Sequence, residues 1–200
     1  PIFFAIITTI FSSLVTIYFT VGMNKKFVVA LLGVTSGVLI AGILSYIFTY
    51  RMRLNGFLDS DLLASAYLLK NVKIKELIPA GVIIGSLGAV MDVAVSITSS
   101  INELHETDPN MSKKYMFKSA INIGNDIIGT MINTLILAYI ASSIFTLLLI
   151  YIQANEYPLI RILNFQDIAV EIMRSICGSI GILIAVPLTA YIGTLIYKKK

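Results

Sequence analysis

Asp92 and Asp126 each fall inside a long apolar run. A carboxyl in that setting can take up and release a proton, or coordinate a cation together with nearby hydroxyls and amides. Around Asp92, the residues Gly81, Gly85, Gly88, Asp92, Ser96, Ser99 and Glu103 follow one another at steps of four, three, four, four, three and four. On a helix that spacing puts them on one face. Around Asp126, Asn122, Gly129, Thr130 and Asn133 recur at similar steps and make a second polar stripe. Facing each other, Asp92, Ser96 and Ser99 on one helix and Asn122, Asp126, Thr130 and Asn133 on the other would form an oxygen-rich ion or substrate site. Gly81, Gly85, Gly88, Gly124 and Gly129 would permit close helix approach or a hinge.

The elements carrying these stripes are membrane spans. The chain is 57% hydrophobic and 13% charged, with a mean hydropathy of +0.88, whereas a soluble domain is about half apolar and about a quarter charged. Its apolar residues come in runs of about twenty, enough to cross a hydrocarbon core of ~30 Å as helix. The fold class expected is all-α: a polytopic transmembrane bundle forming a single membrane domain over 1–200, with spans near 2–21, 27–50, 78–104, 118–151 and 168–197. Short interfacial amphipathic helices join them, one of them carrying Phe57, Leu58, Leu62, Leu68 and Leu69. The 78–104 span is about 40 Å long as helix, and Asp92 lies near its middle.

Several features bound the function. Basic residues sit between the apolar runs, which marks membrane flanks and speaks against nucleic-acid binding. The single Cys177 has no partner for an internal disulfide. His105 reads as a solvated residue of the polar turn 105–110, where Asp108-Pro109 breaks the helix and Ser112 caps the next. No zinc motif, Walker loop or histidine-activated serine is visible, so no metal, cofactor or catalytic residue is expected. Nothing between Lys113 and Tyr151 predicts a break in that helix. Pro187 predicts a kink in the last span, and Gly33/Gly37 and Gly178/Gly181/Ala185/Thr189 predict packing seams. Tyr139, Tyr151, Tyr191 and Tyr197, near span ends, read as interface anchors. Basic residues divide eight to seven between the two sides, and the three lysines after the last span point to a cytoplasmic C-terminus. The chain opens at Pro1, inside an apolar run, which reads as a processed or truncated product with further sequence upstream.

Two blocks carry a resemblance: Gly88-Ala-Val-Met-Asp-Val-Ala-Val-Ser-Ile97 with Glu103-Leu104, and Ile123-Gly-Asn-Asp-Ile-Ile-Gly-Thr-Met-Ile-Asn-Thr-Leu-Ile-Leu-Ala-Tyr139. They resemble the signature blocks of the YibE/F-like multi-pass membrane proteins. Weaker similarity runs through Asn24-Lys25-Lys26, Ile162-Leu-Asn164 and Pro187-Leu-Thr189. The resemblance implies a multi-pass protein of a bacterial cell membrane and brings no substrate with it. Where the family often carries a basic residue this chain has Asn125, so no ion pair for Asp126 is expected from that position.

Three functions follow from two intramembrane acids. The first is a proton- or cation-coupled permease or exporter of a small solute. The second is a non-transporting assembly or accessory protein, a homo-oligomer or membrane partner, whose acids are interhelical contacts. The third is an intramembrane aspartyl protease, although the Gly-x-Gly-Asp approach to one acid is replaced here by Gly124-Asn-Asp126 and Val90-Met-Asp92.

Overall fold

A computed structural model describes residues 1–55, 73–153 and 157–198. It is built from helices α1 (Ile2–Val21), α2 (Lys25–Arg51), α3 (Leu77–Thr107), α4 (Lys113–Ser142), α5 (Ile144–Gln153), α6 (Leu159–Leu163) and α7 (Gln166–Tyr197), with a 3-10 turn at Ile74–Glu76 before α3. Five of these elements are long and apolar enough to cross a membrane: α1, α2, α3 with its leading turn, α4 and α7. The expected interfacial helix between spans two and three lies outside the described residues.

The helices begin and end where local chemistry dictates. Gly22 closes α1 at φ 74° and ψ 179°, a conformation that a Cβ disfavours, while its N–H donates to the Tyr18 carbonyl. After α3, Asp108 Oδ1 accepts from Asn110 N–H at 3.0 Å, and the Ser112 hydroxyl caps α4 by accepting from Tyr115 N–H at 3.3 Å. The span expected to run unbroken to Tyr151 divides at Ser143, which leaves helical geometry at φ −98° and ψ 13°. Ser142 Oγ donates to the Tyr139 carbonyl at 2.9 Å, and Ser143 N–H is shared between the Tyr139 and Ile140 carbonyls. Two adjacent serines compete with the backbone ladder at one turn, and the chain restarts as α5. Helix α7 runs continuously through Pro187.

The core is a triad of α2, α3 and α7, with α1 laid against α2 and α3 and α4 laid against α3 and α7. Lipid tails are as apolar as leucine, so these helices associate through close backbone approach rather than water exclusion. A Cβ on Gly33 would collide with the Thr189 side chain. One on Gly37 would stand 2.7 Å from Val90 Cγ1 and 3.1 Å from the Gly181 carbonyl oxygen. Reciprocally, a Cβ on Gly181 would lie 2.9 Å from that of Ala41. Both small-residue seams read from sequence therefore meet each other.

The ends of the helices fix their directions. Asn55 N–H donates to Gln166 Oε1 at 3.2 Å, which puts the end of α2 beside the start of α7. At the opposite end, Tyr197 Oη donates to Asn102 Oδ1 at 2.9 Å and Lys198 Nζ donates to the Pro109 carbonyl. This second end holds the α3–α4 turn, the start of α2 and the end of α7.

Candidate functional site

Helix α3 is divided lengthwise by its 3.6-residue period. Val90, Val93, Ala94, Ile97 and Ile101 are fully buried in the triad. Gly85, Gly88, Asp92, Ser99 and Glu103 are exposed on the opposite side, with Ser96 half-buried among them. Helix α4 is divided the same way. Met116 and Ala120 are buried, and a Cβ on Gly124 would collide with Val186 and stand 3.3 Å from Ile97 Cδ1. Asn122, Asp126, Gly129, Thr130 and Asn133 lie about half a turn away or a little less, and all are exposed.

Asp92 lies fifteen residues before the end of α3, and Asp126 lies thirteen residues after the start of α4. The two helices share one short turn, so both acids stand on the order of 20 Å from that end. Neither acid has a hydrogen-bond or ion-pair partner among the described residues. The Thr130 hydroxyl is committed locally, donating to the Ile127 carbonyl at 2.8 Å. Among the described residues, no side chain and no other helix comes within 4 Å of a Cβ built on Gly88 or Gly129, so at these two positions the stripes border open space.

At the other end of α3 the same face is flanked by polar side chains. Arg174 Nη2 lies 3.9 Å from the Cβ position of Gly81, and Tyr139 Oη lies 3.6 Å from that of Gly85 and 3.0 Å from that of Gly178. The missing side chains at Gly85 and Gly178 are what admit the Tyr139 ring. Arg174 Nη1 pairs with Glu171 Oε1 at 3.1 Å across one turn of α7, with each side chain about a quarter exposed. Glu171 Oε2, Arg174 Nε and Tyr139 Oη are buried without a hydrogen-bond partner. A cleft of about 280 Å³ between α4, α5 and α7 is lined by Tyr139 and Glu171 together with isoleucines, Leu147, Ser143 and Ser175. Sequence reasoning missed this cluster. The position of Tyr139 near a span end reads as an interface anchor, but the residue is 9% exposed, packed between α3 and α7. The available signal was a Glu-Arg pair at i and i+3 close to Gly178 in an otherwise apolar span.

From Gly81 to Glu103 the face covers twenty-two residues, about 33 Å of helix. That matches the thickness of a hydrocarbon core. The line runs from Arg174 and Tyr139 at one end, past Asp92 with Asp126 at its level, to Ser99 and Glu103 at the other.

His105 is not in a solvated loop. It occupies the last turn of α3, half-buried, with its ring edge-on to Tyr197 at 5.4 Å between centroids. Helix α3 extends three residues further than its apolar run because Asn102 Nδ2 donates to Glu106 Oε1 at 2.6 Å and Tyr197 braces the same turn.

Residues 1–199 match the family model described as YibE/F-like protein. No curated protein and no solved structure matches the chain.

Proposed function

The chain belongs to the YibE/F-like family of membrane proteins, and we propose that it is a proton- or cation-coupled permease that moves a small solute along the outward faces of α3 and α4 in a bacterial cell membrane. The observation that carries this reading is the polar line of bilayer length on α3, with Asp92 at its middle and Asp126 at the same height on α4. An unpaired carboxyl against lipid tails costs several kcal/mol, so such a face borders water or protein. Water along it gives a path on which a carboxyl passes a proton, or holds a cation with the Ser96 and Ser99 hydroxyls and the Asn122 and Asn133 amides. The facing wall comes from a second copy of the chain or another membrane protein.

The test is proton flux in proteoliposomes loaded with a pH-sensitive dye, driven by a pH gradient or by Na⁺ or K⁺ gradients. Asp92→Asn and Asp126→Asn keep side-chain volume and remove the ionisable proton. Each is expected to insert normally and to lower flux by about tenfold or more, the scale of losing one proton-transfer group. Flux at the wild-type rate in both variants would falsify the permease reading.

A second reading, assembly without transport, is favoured by the open space beside Gly88 and Gly129, which is the surface another helix needs for close approach. It predicts that Asp92→Asn changes the oligomeric mass and the thermal stability in detergent, with no flux present to lose.

A further inference from the structure

The cleft between α4, α5 and α7 stands apart from the two acid stripes. Its walls are Ile136, Ile140, Ile172 and Ile176, each between about a third and a half exposed on the outer surface, so it opens sideways toward lipid. Ser175 lines it as well, and so does Glu171, whose Oε2 is a buried acceptor with nothing to accept from. Tyr139, which also lines it, brings a buried hydroxyl without a partner. Buried polar atoms left unsatisfied cost about 1–3 kcal/mol each, so this cleft favours an occupant with a polar end as well as an apolar one.

The charge of the site selects among polar ends. Glu171 already balances Arg174 at 3.1 Å, so the pair is neutral as a unit. A cationic or anionic head would add an uncompensated charge in a low-dielectric place. A hydroxyl adds none, and it supplies the donor that Glu171 Oε2 lacks. We propose that the cleft holds the alkyl chain of a neutral, hydroxyl-headed lipid, with the chain along the four isoleucines and the hydroxyl donating to Glu171.

The experiment uses the full chain in phosphatidylcholine nanodiscs with three photoreactive dodecyl probes that differ only in head: hydroxyl, carboxylate and ammonium. Crosslinks are mapped by peptide mass. The hydroxyl probe is expected to label the α4 and α7 peptides carrying Ile140, Ile172 and Ile176 about tenfold more than either charged probe, because the carboxylate has no donor for Glu171 and the ammonium adds an unbalanced charge beside a neutral pair. Excess dodecanol should displace it. Ile176→Trp fills the cleft from its lipid-facing side and should abolish the labelling. Leu183→Trp, also lipid-facing on α7, should leave it intact, as should Asp92→Asn, which separates this site from the permease reading. Equal labelling by all three heads, preference for a charged head, labelling spread evenly over the outer surface of the bundle, or labelling that survives Ile176→Trp would each overturn the proposal.

Discussion

The Tyr197 hydroxyl donates to Asn102 Oδ1 at 2.9 Å, joining the last turn of α7 to the last turns of α3, ninety-five residues apart in sequence. Asn102 is 8% exposed and Tyr197 7%, so neither group has water to fall back on. Tyr197→Phe removes the donor, keeps the ring against His105 and strands the Asn102 oxygen. The expected cost is about 1–2 kcal/mol, the usual penalty for orphaning one buried polar atom. Thermal unfolding in detergent measures it, and an unchanged midpoint would show that the bond contributes nothing net.

The glycines divide into two groups that a single substitution separates. Gly37 and Gly181 face each other across the α2–α7 contact, where a Cβ meets backbone oxygen at 3.1 Å on either side. Gly37→Leu or Gly181→Leu should cost about 3 kcal/mol or more, because overpacking of this severity forces the helices apart. Among the described residues, a Cβ on Gly88 or Gly129 meets nothing within 4 Å. There Gly→Ala should leave the chain folded and raise helix stability by up to ~1 kcal/mol. Unfolding curves of Gly37→Leu and Gly88→Ala, recorded side by side, check both signs.

How much of this was legible in the sequence depends on what set each feature. Span number and the α2–α7 seam follow from apolar runs and small residues at helical spacing, both local properties of the chain. The division of α3 into a buried and an exposed face was legible as a stripe. Its direction was not, because Gly85 and Gly88 beside Asp92 fit an inward packing seam as well as an outward polar face. Deciding between them takes the positions of α2 and α7. The burial of Tyr139 was hidden for the same reason: it depends on Gly85 and Gly178, tens of residues away on other helices. The break at Ser143 is hidden because two serines in a continuous apolar run do not by themselves stop a helix, and the hydropathy on both sides of them is unbroken.

The Glu171–Arg174 pair predicts a pattern of non-additivity. Glu171→Leu leaves the Arg174 guanidinium without its carboxylate, and Arg174→Leu leaves the carboxylate without its guanidinium. Each is expected to destabilise by about 2 kcal/mol, below the usual cost of breaking a fully buried pair because both side chains are about a quarter exposed. The double variant Glu171→Leu/Arg174→Leu removes both charges and should recover at least half of that loss. A double variant as unstable as the sum of the singles would mean that the two groups act independently.

Water along the polar line leaves a chemical signature. Cys177 is the chain's one cysteine, and it is fully buried, so reporter cysteines work against little background. Cysteines placed singly at Gly88, Asp92, Ser96 and Ser99 report along the exposed face of α3, and one at Phe11, 67% exposed on α1, reports on lipid. A water-soluble maleimide reacts only with thiolate, whose fraction falls about tenfold for each pKa unit of desolvation. If the face borders water, the α3 positions should react about tenfold or more faster than Phe11→Cys, and the rates should stay level from Ser99→Cys up to Gly88→Cys. If another helix seals the face, reactivity should be high at Ser99→Cys and fall steeply toward Asp92→Cys, because access would come only from the end of the bundle that holds the α3–α4 turn. The profile therefore discriminates a solute path from an assembly surface at the level of single residues, whatever the solute is.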